Sequence, residues 1–228
     1  MKLLGKISLS VLMIGALTTV GCSNDDNSMN PTESASVLVV HASPDAPAVD
    51  LLVDNTVVNT QPLTYPDNTG YLSVPAGNRN IKVNASGTST TVINADLNLE
   101  ADMAYTVFAT DVLNDITPLV LQDNLATPAT GKAHVRFVHL SPDAPPVDIT
   151  LTDGTVVFGN KAFREYTSFT PLDAGTYNLQ VRLAGTSTVV LNLPGIQLTA
   201  GKIFTVFAKG LVSGSGDQAL GAQIIMNN

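Results

Sequence analysis

Apolar and polar residues alternate along this chain in short runs, with turn-forming residues between them at intervals near ten. A period of two puts successive side chains on opposite faces and predicts β-strands. Val49, Leu51 and Val53 share one face; Asp50 and Asp54 share the other. The run Val37-Leu38-Val39-Val40 predicts another strand, with His41 on the side of Val37 and Val39. Further strands are expected over 70–74, 81–83 and 92–93, and a core strand over 105–109. The run 116–121 predicts an edge strand, because Pro118 cannot donate to a ladder. Asp54-Asn55-Thr56 reads as a tight turn. Asp153-Gly154 suits a type I′ hairpin, whose two central residues both need positive φ. No segment sustains a helical period.

The alternation runs through its cycle twice. His41-Ala42-Ser43-Pro44-Asp45-Ala46-Pro47-Ala48-Val49-Asp50 returns 98 positions later, from His139 to Asp148, with eight of ten residues identical. Over the next 24 positions only two identities survive, Val58/Val156 and Thr69/Thr167. The strand pattern returns as well: Val135, Phe137 and His139 alternate inward, and Val147, Ile149 and Leu151 lie opposite Asp148. Thr205-Val206-Phe207-Ala208 repeats 106–109, and 224–226 would close the second copy. Seven or eight short strands per copy favour a sandwich. The chain is therefore expected to be all-β, with two tandem small antiparallel β-sandwich domains, Ig-like or prealbumin-like. They would occupy 37–126 and 133–228, joined by a linker at 127–132, like two beads on a tether.

Composition narrows the partners. The chain carries a net charge of −8, and removing the +2 of residues 1–21 leaves −10. Phosphate backbones are held by Lys and Arg, so nucleic acid is excluded as a partner. Cys22 is the only cysteine, so no internal disulfide supports the fold.

The first 21 residues break the strand pattern. Lys2 and Lys6 precede an apolar run over 7–17, too short for a bilayer span of about 20 residues, and the segment reads as a signal peptide. Residues 22–36 are polar, include Pro31 and predict a flexible tether. Thr19-Val20-Gly21-Cys22 resembles the lipobox of bacterial lipoproteins, with Thr19 where that pattern prefers leucine. The resemblance implies acylation of Cys22 and a membrane partner through that lipid; ordinary secretion with a free thiol is the other reading. Ser23-Asn24-Asp25-Asp26-Asn27-Ser28 resembles the acidic stretch that sends some Bacteroidetes lipoproteins to the outer face of the outer membrane. A plain solvated linker facing the periplasm is its alternative.

The repeated decapeptide, the Ala-Gly turns at 76–77 and 174–175, and the late Thr-Val-Phe-Ala strands resemble the bacterial domain of unknown function 4397. Two copies would cover about 37–110 and 135–209. The resemblance implies a β-rich extracytoplasmic domain and carries no catalytic residues.

The candidate chemistry lies in the decapeptides: His41, Ser43, Asp45 and Asp50, with His139, Ser141, Asp143 and Asp148. One His and two carboxylates are donors that a cation accepts. Parity counts against this, since His41 and Asp50 point to opposite faces. The favoured reading is architectural: Ser and Asp fasten a proline-bracketed corner, and each histidine caps a carbonyl or carboxylate. No catalytic residue, metal or cofactor is assigned. Gly210 to Gly216 is glycine-rich, but no helix follows it to present an N-terminus to a phosphate, so a flexible loop is expected. Tyr71 and Phe169 align and are expected in the core. Three readings of function follow: a non-enzymatic surface module binding a glycan or protein, a structural spacer, and a metal-dependent hydrolase using the His/Asp set.

Overall fold

A computed structural model describes residues 33–228. Cys22, the expected signal peptide and most of the expected tether lie outside the described residues. The first copy contributes β1 Ser34–His41, β2 Val49–Val53, β3 Thr56–Val57, β4 Asn68–Pro75, β5 Gly77–Ala85, β6 Thr91–Leu99, β7 Ala104–Thr110 and β8 Thr117–Asp123. The second contributes β9 Lys132–His139, β10 Val147–Leu151, β11 Val156–Lys161, β12 Thr170–Asp173, β13 Gly175–Leu183, β14 Val189–Leu198, β15 Ile203–Lys209 and β16 Gly221–Met226.

Each copy is a sandwich of two four-stranded sheets. The orders β4-β1-β7-β8 and β3-β2-β5-β6 recur as β12-β9-β15-β16 and β11-β10-β13-β14. Pairing is antiparallel except for β1 with β7 and β9 with β15, which run parallel. The strand β8 holds the sheet edge, as Pro118 requires. Val37, Val39, Leu51 and Val107 fill the first core; Val135, Phe137, Ile149 and Val206 fill the second.

A third core changes the picture of two beads. Leu38, Val40, Ala42 and Phe108 face away from the first core and pack with Val138, Leu140, Phe207 and Ile225. Phe108 and Phe207 meet edge to face at 5.8 Å. Residues 33–228 accordingly belong to one compact unit. The reason is legible in retrospect. The apolar run at 37–40 does not alternate, and a strand buried on both faces has no polar side to show.

Smaller differences have local causes. The strand β1 starts at Ser34, inside the expected tether, because Asp102 donates to the Ser34 carbonyl and Ala35 is buried. At Asp54-Asn55 both residues take positive φ, 48° and 69°, whereas in the second copy Gly154 alone does. There the loop between β10 and β11 is longer: Gly154 donates to the Leu151 carbonyl, and Leu151 donates to that of Thr155.

Candidate functional site

The parallel pairing of β1 with β7 delivers His41 to one end of the first sandwich. Ala42 extends that ladder by donating to the Ala109 carbonyl, and the His41 N–H donates to Asp67. The chain then turns through Ser-Pro-Asp-Ala-Pro. Pro44 pre-sets φ for the turn, and Pro47 pushes Ala46 towards extended backbone. Asp45 reaches across to accept the Leu113 N–H at 2.7 Å. In the second copy Asp143 accepts the Val212 N–H at 2.9 and 3.1 Å. Asp50 accepts from Ser86 Oγ at 3.1 Å and the Gly87 N–H at 3.0 Å. Asp148 accepts the N–H groups of Asn160 at 2.6 Å and Gly185 at 2.8 Å. Ser141 Oγ donates to the Gly210 carbonyl at 2.7 Å.

The histidines close the same corners. His41 Nε2 lies 2.9 Å from the Pro47 carbonyl and His139 Nε2 3.2 Å from that of Pro145. A carbonyl only accepts, so each Nε2 carries the proton. Both rings are fully buried. Burial lowers both pKa values below the ordinary 6.5, outweighing the carbonyl contacts that favour the charged form. The Ser141 N–H approaches His139 Nδ1 at 3.4 Å. His41 Nδ1, Ser43 Oγ and Tyr65 Oη are buried without a hydrogen-bond partner among the described residues.

Ser141 meets His139 and, at 3.5 Å, Asp143, but the histidines and aspartates of the motif do not converge on one point. Each histidine sits on the core side of its sandwich, while Asp50 points away from the face of Val49 and Leu51. Among the described residues no three His, Cys, Asp or Glu side chains are placed to share a cation. What the corner can do chemically is hold loops: it joins the turn at 85–87 and the β7–β8 connection to the end of β1, and their counterparts to the end of β9.

Both corners lie at the same end of the compact unit. Arg164, whose N–H donates to the His139 carbonyl, reaches the Pro118 carbonyl of the first sandwich at 2.9 Å. Lys209, at the end of β15, lies 5.2 Å from the ring centre of Tyr65, which in turn meets His41 edge-on at 6.1 Å. The chain enters β1 at Ser34, at the other end. Eight extended residues put about 25 Å between that entry and the corner.

Two features escaped the sequence reading. Thr69 and Thr167 survive the drift between copies because each hydroxyl accepts a strand N–H, of Val39 and Phe137, at 3.0 Å. The identity was the signal. The second is a polar network in the third core. Arg136 Nη1 pairs with Asp123 at 2.6 Å, both side chains all but fully buried. Arg136 also donates to Thr106 and Thr205, each at 2.8 Å. Thr106 and Tyr71 donate to Asp123, and Asn227 ties Tyr71 to Thr205. Burial first, then the Asp123 charge, pushes the Tyr71 hydroxyl well above the usual phenol range, so it keeps its proton and donates. Tyr71 packs against the third core rather than either sandwich core, and Phe169 lies under the Arg136 guanidinium at 4.5 Å.

The fold and its corners define a class: all-β proteins of two sandwiches packed face to face. The family model DUF4397, a domain of unknown function, matches residues 35–150, and the chain belongs to that family. The matched span takes in the first sandwich and enters the second as far as β10. No curated protein matches the chain. One solved structure, the CBM26 module CBMbc of Eubacterium rectale Amy13K in complex with maltoheptaose, aligns with 83% of this chain and 96% of its own. The identity is 8% and the TM-score 0.29, too weak a likeness to bear on function.

Proposed function

We propose that this is a non-enzymatic, lipid-anchored envelope protein that presents a rigid double sandwich outside the outer membrane for binding. One observation carries the reading. The ionisable side chains of the repeated corner are committed to backbone partners, at the end opposite the tether's entry into β1. Carboxylates that accept N–H groups and histidines whose Nε2 donates to a carbonyl serve the corner's loops rather than a substrate. Acylation of Cys22 supplies the hook, and more than one chain makes it stable, each buried methylene contributing about 0.8 kcal/mol. The tip then stands clear of the bilayer. The spacer reading shares the rigid body and differs only in lacking a ligand.

The test has two readouts. A clickable fatty acid should label the wild type and spare Cys22→Ala, and protease added to intact cells should digest the protein. Equal labelling of both proteins would remove the anchor. Protection from protease until the outer membrane is broken would turn the module inward.

A further inference from the structure

The two tips differ most in one loop. The connection between β7 and β8 takes six residues, 111–116, whereas that between β15 and β16 takes eleven, 210–220. The longer loop is folded on itself and is not the flexible segment its glycines suggest. Leu211 bridges Ala219, and Leu220 donates back to the Leu211 carbonyl. A Cβ at Gly210 would clash with the Ala219 carbonyl, and one at Gly214 with the Gln218 carbonyl. The glycines are there because backbone passes backbone.

Behind this loop lies a cavity of about 520 Å³. Val147, Val181 and Leu183 line it from the sheet behind, and Val212 and Leu220 from the loop. Among the described residues His139 is the one ionisable side chain in its wall. That imidazole is spent on the Pro145 carbonyl and held neutral by burial. Val190 and Val212 are 37% and 55% exposed and form an apolar mouth. A volume of roughly 300–1,000 Å³ is what small-ligand sites enclose.

We propose that this cavity binds an uncharged aliphatic molecule, of the class of a medium-chain alcohol or ester. The inference rests on reading the protein as a binding module and gives that module a site. A charged group here would be buried without a counter-ion. A sugar would bring many hydroxyls to a lining that offers them few partners, and among the described residues the wall has no Phe, Tyr or Trp for a sugar ring to stack on. An aliphatic chain loses only water, and gains close contact with valine and leucine.

The experiment is a titration of 1-octanol into methyl-labelled protein of residues 23–228, which keep all three cores. Saturable shifts of the Val190, Val212 and Leu220 methyls are expected. They should weaken at least tenfold in Val190→Asp and in Val212→Asp, both tolerable at exposed positions, and persist in Val57→Asp on the first sandwich, 55% exposed. Absent shifts, or shifts unchanged in both aspartate variants of the mouth, overturn the site. Shifts with maltose or cellobiose but not octanol overturn the aliphatic class. Protease accessibility on cells is a separate readout, so octanol failing with surface exposure intact refutes the cavity and spares the display reading.

Discussion

Arg136 sits where its neighbours give the opposite impression. Val135 and Phe137 face the second core, so alternation sends Arg136 outward, where a guanidinium ordinarily meets water. Here outward is the third core, and the charge is carried by Asp123 and two threonines. The first copy has Leu38 at the matching place, and Asn227 stands at the end of its sheet edge as Asp123 does in the first copy. The two faces are thus near-equivalent, with one ion pair breaking the equivalence. Removing one partner strands a buried charge, which costs about 3–5 kcal/mol. Arg136→Leu and Asp123→Asn should each destabilise the protein by about that much in urea. The double variant, resembling the Leu38/Asn227 half, should recover most of the loss. Additive losses would mean the pair is not coupled.

At the scale of the element, the corner was the most legible part of the chain. Its prolines, its Ser and Asp donors and acceptors, and the parity of His41 against Asp50 follow from local rules. The expectation left each histidine a carbonyl or a carboxylate to cap, and the rings lie against the carbonyls of Pro47 and Pro145. The partners of Asp45 and Asp143 were not legible, since they lie 68 and 69 residues away on loops that only the sheet order brings near. The strands were legible from alternation, including the edge strand at Pro118; the parallel pairing of β1 with β7 was not, because hydrophobic period carries no strand direction. The corner also gives a pH dependence. Both histidines have folded pKa values lowered below the 6.5 of the free ring. Below 6.5 the unfolded chain therefore binds more protons, and stability present above that pH falls as acid is added, until the folded pKa values are passed. The melting temperature should drop between pH 7 and pH 5, with a shallower drop in His41→Gln/His139→Gln. An unchanged slope in that variant would place the effect on other groups.

At the scale of the whole molecule, the sequence divided the chain at the repeat into two beads, whereas the structure has two sandwiches joined by a third core. What joins them was hidden in plain view: 104–110 are buried throughout, and β1 shows apolar residues to both sides. A pattern reading assigns one face to the core and one to water, so a strand shared by two cores looks merely very hydrophobic. The joined body carries both corners at one end and Ser34, where β1 begins, at the other, and this supports the proposal that the corner braces a displayed tip. That account stands on the corner's carboxylates serving loops and not a cation. The direct test is calorimetric melting of residues 23–228 and of Asp45→Asn/Asp143→Asn, with calcium and with chelator. Weakened acceptors at about 1 kcal/mol each, and roughly 2–4 °C per kcal/mol for a unit this size, predict a melting temperature lower by about 4–8 °C. It should be the same with and without calcium in both proteins. A wild-type melting temperature raised by calcium, with that rise absent from the double variant, would contradict it.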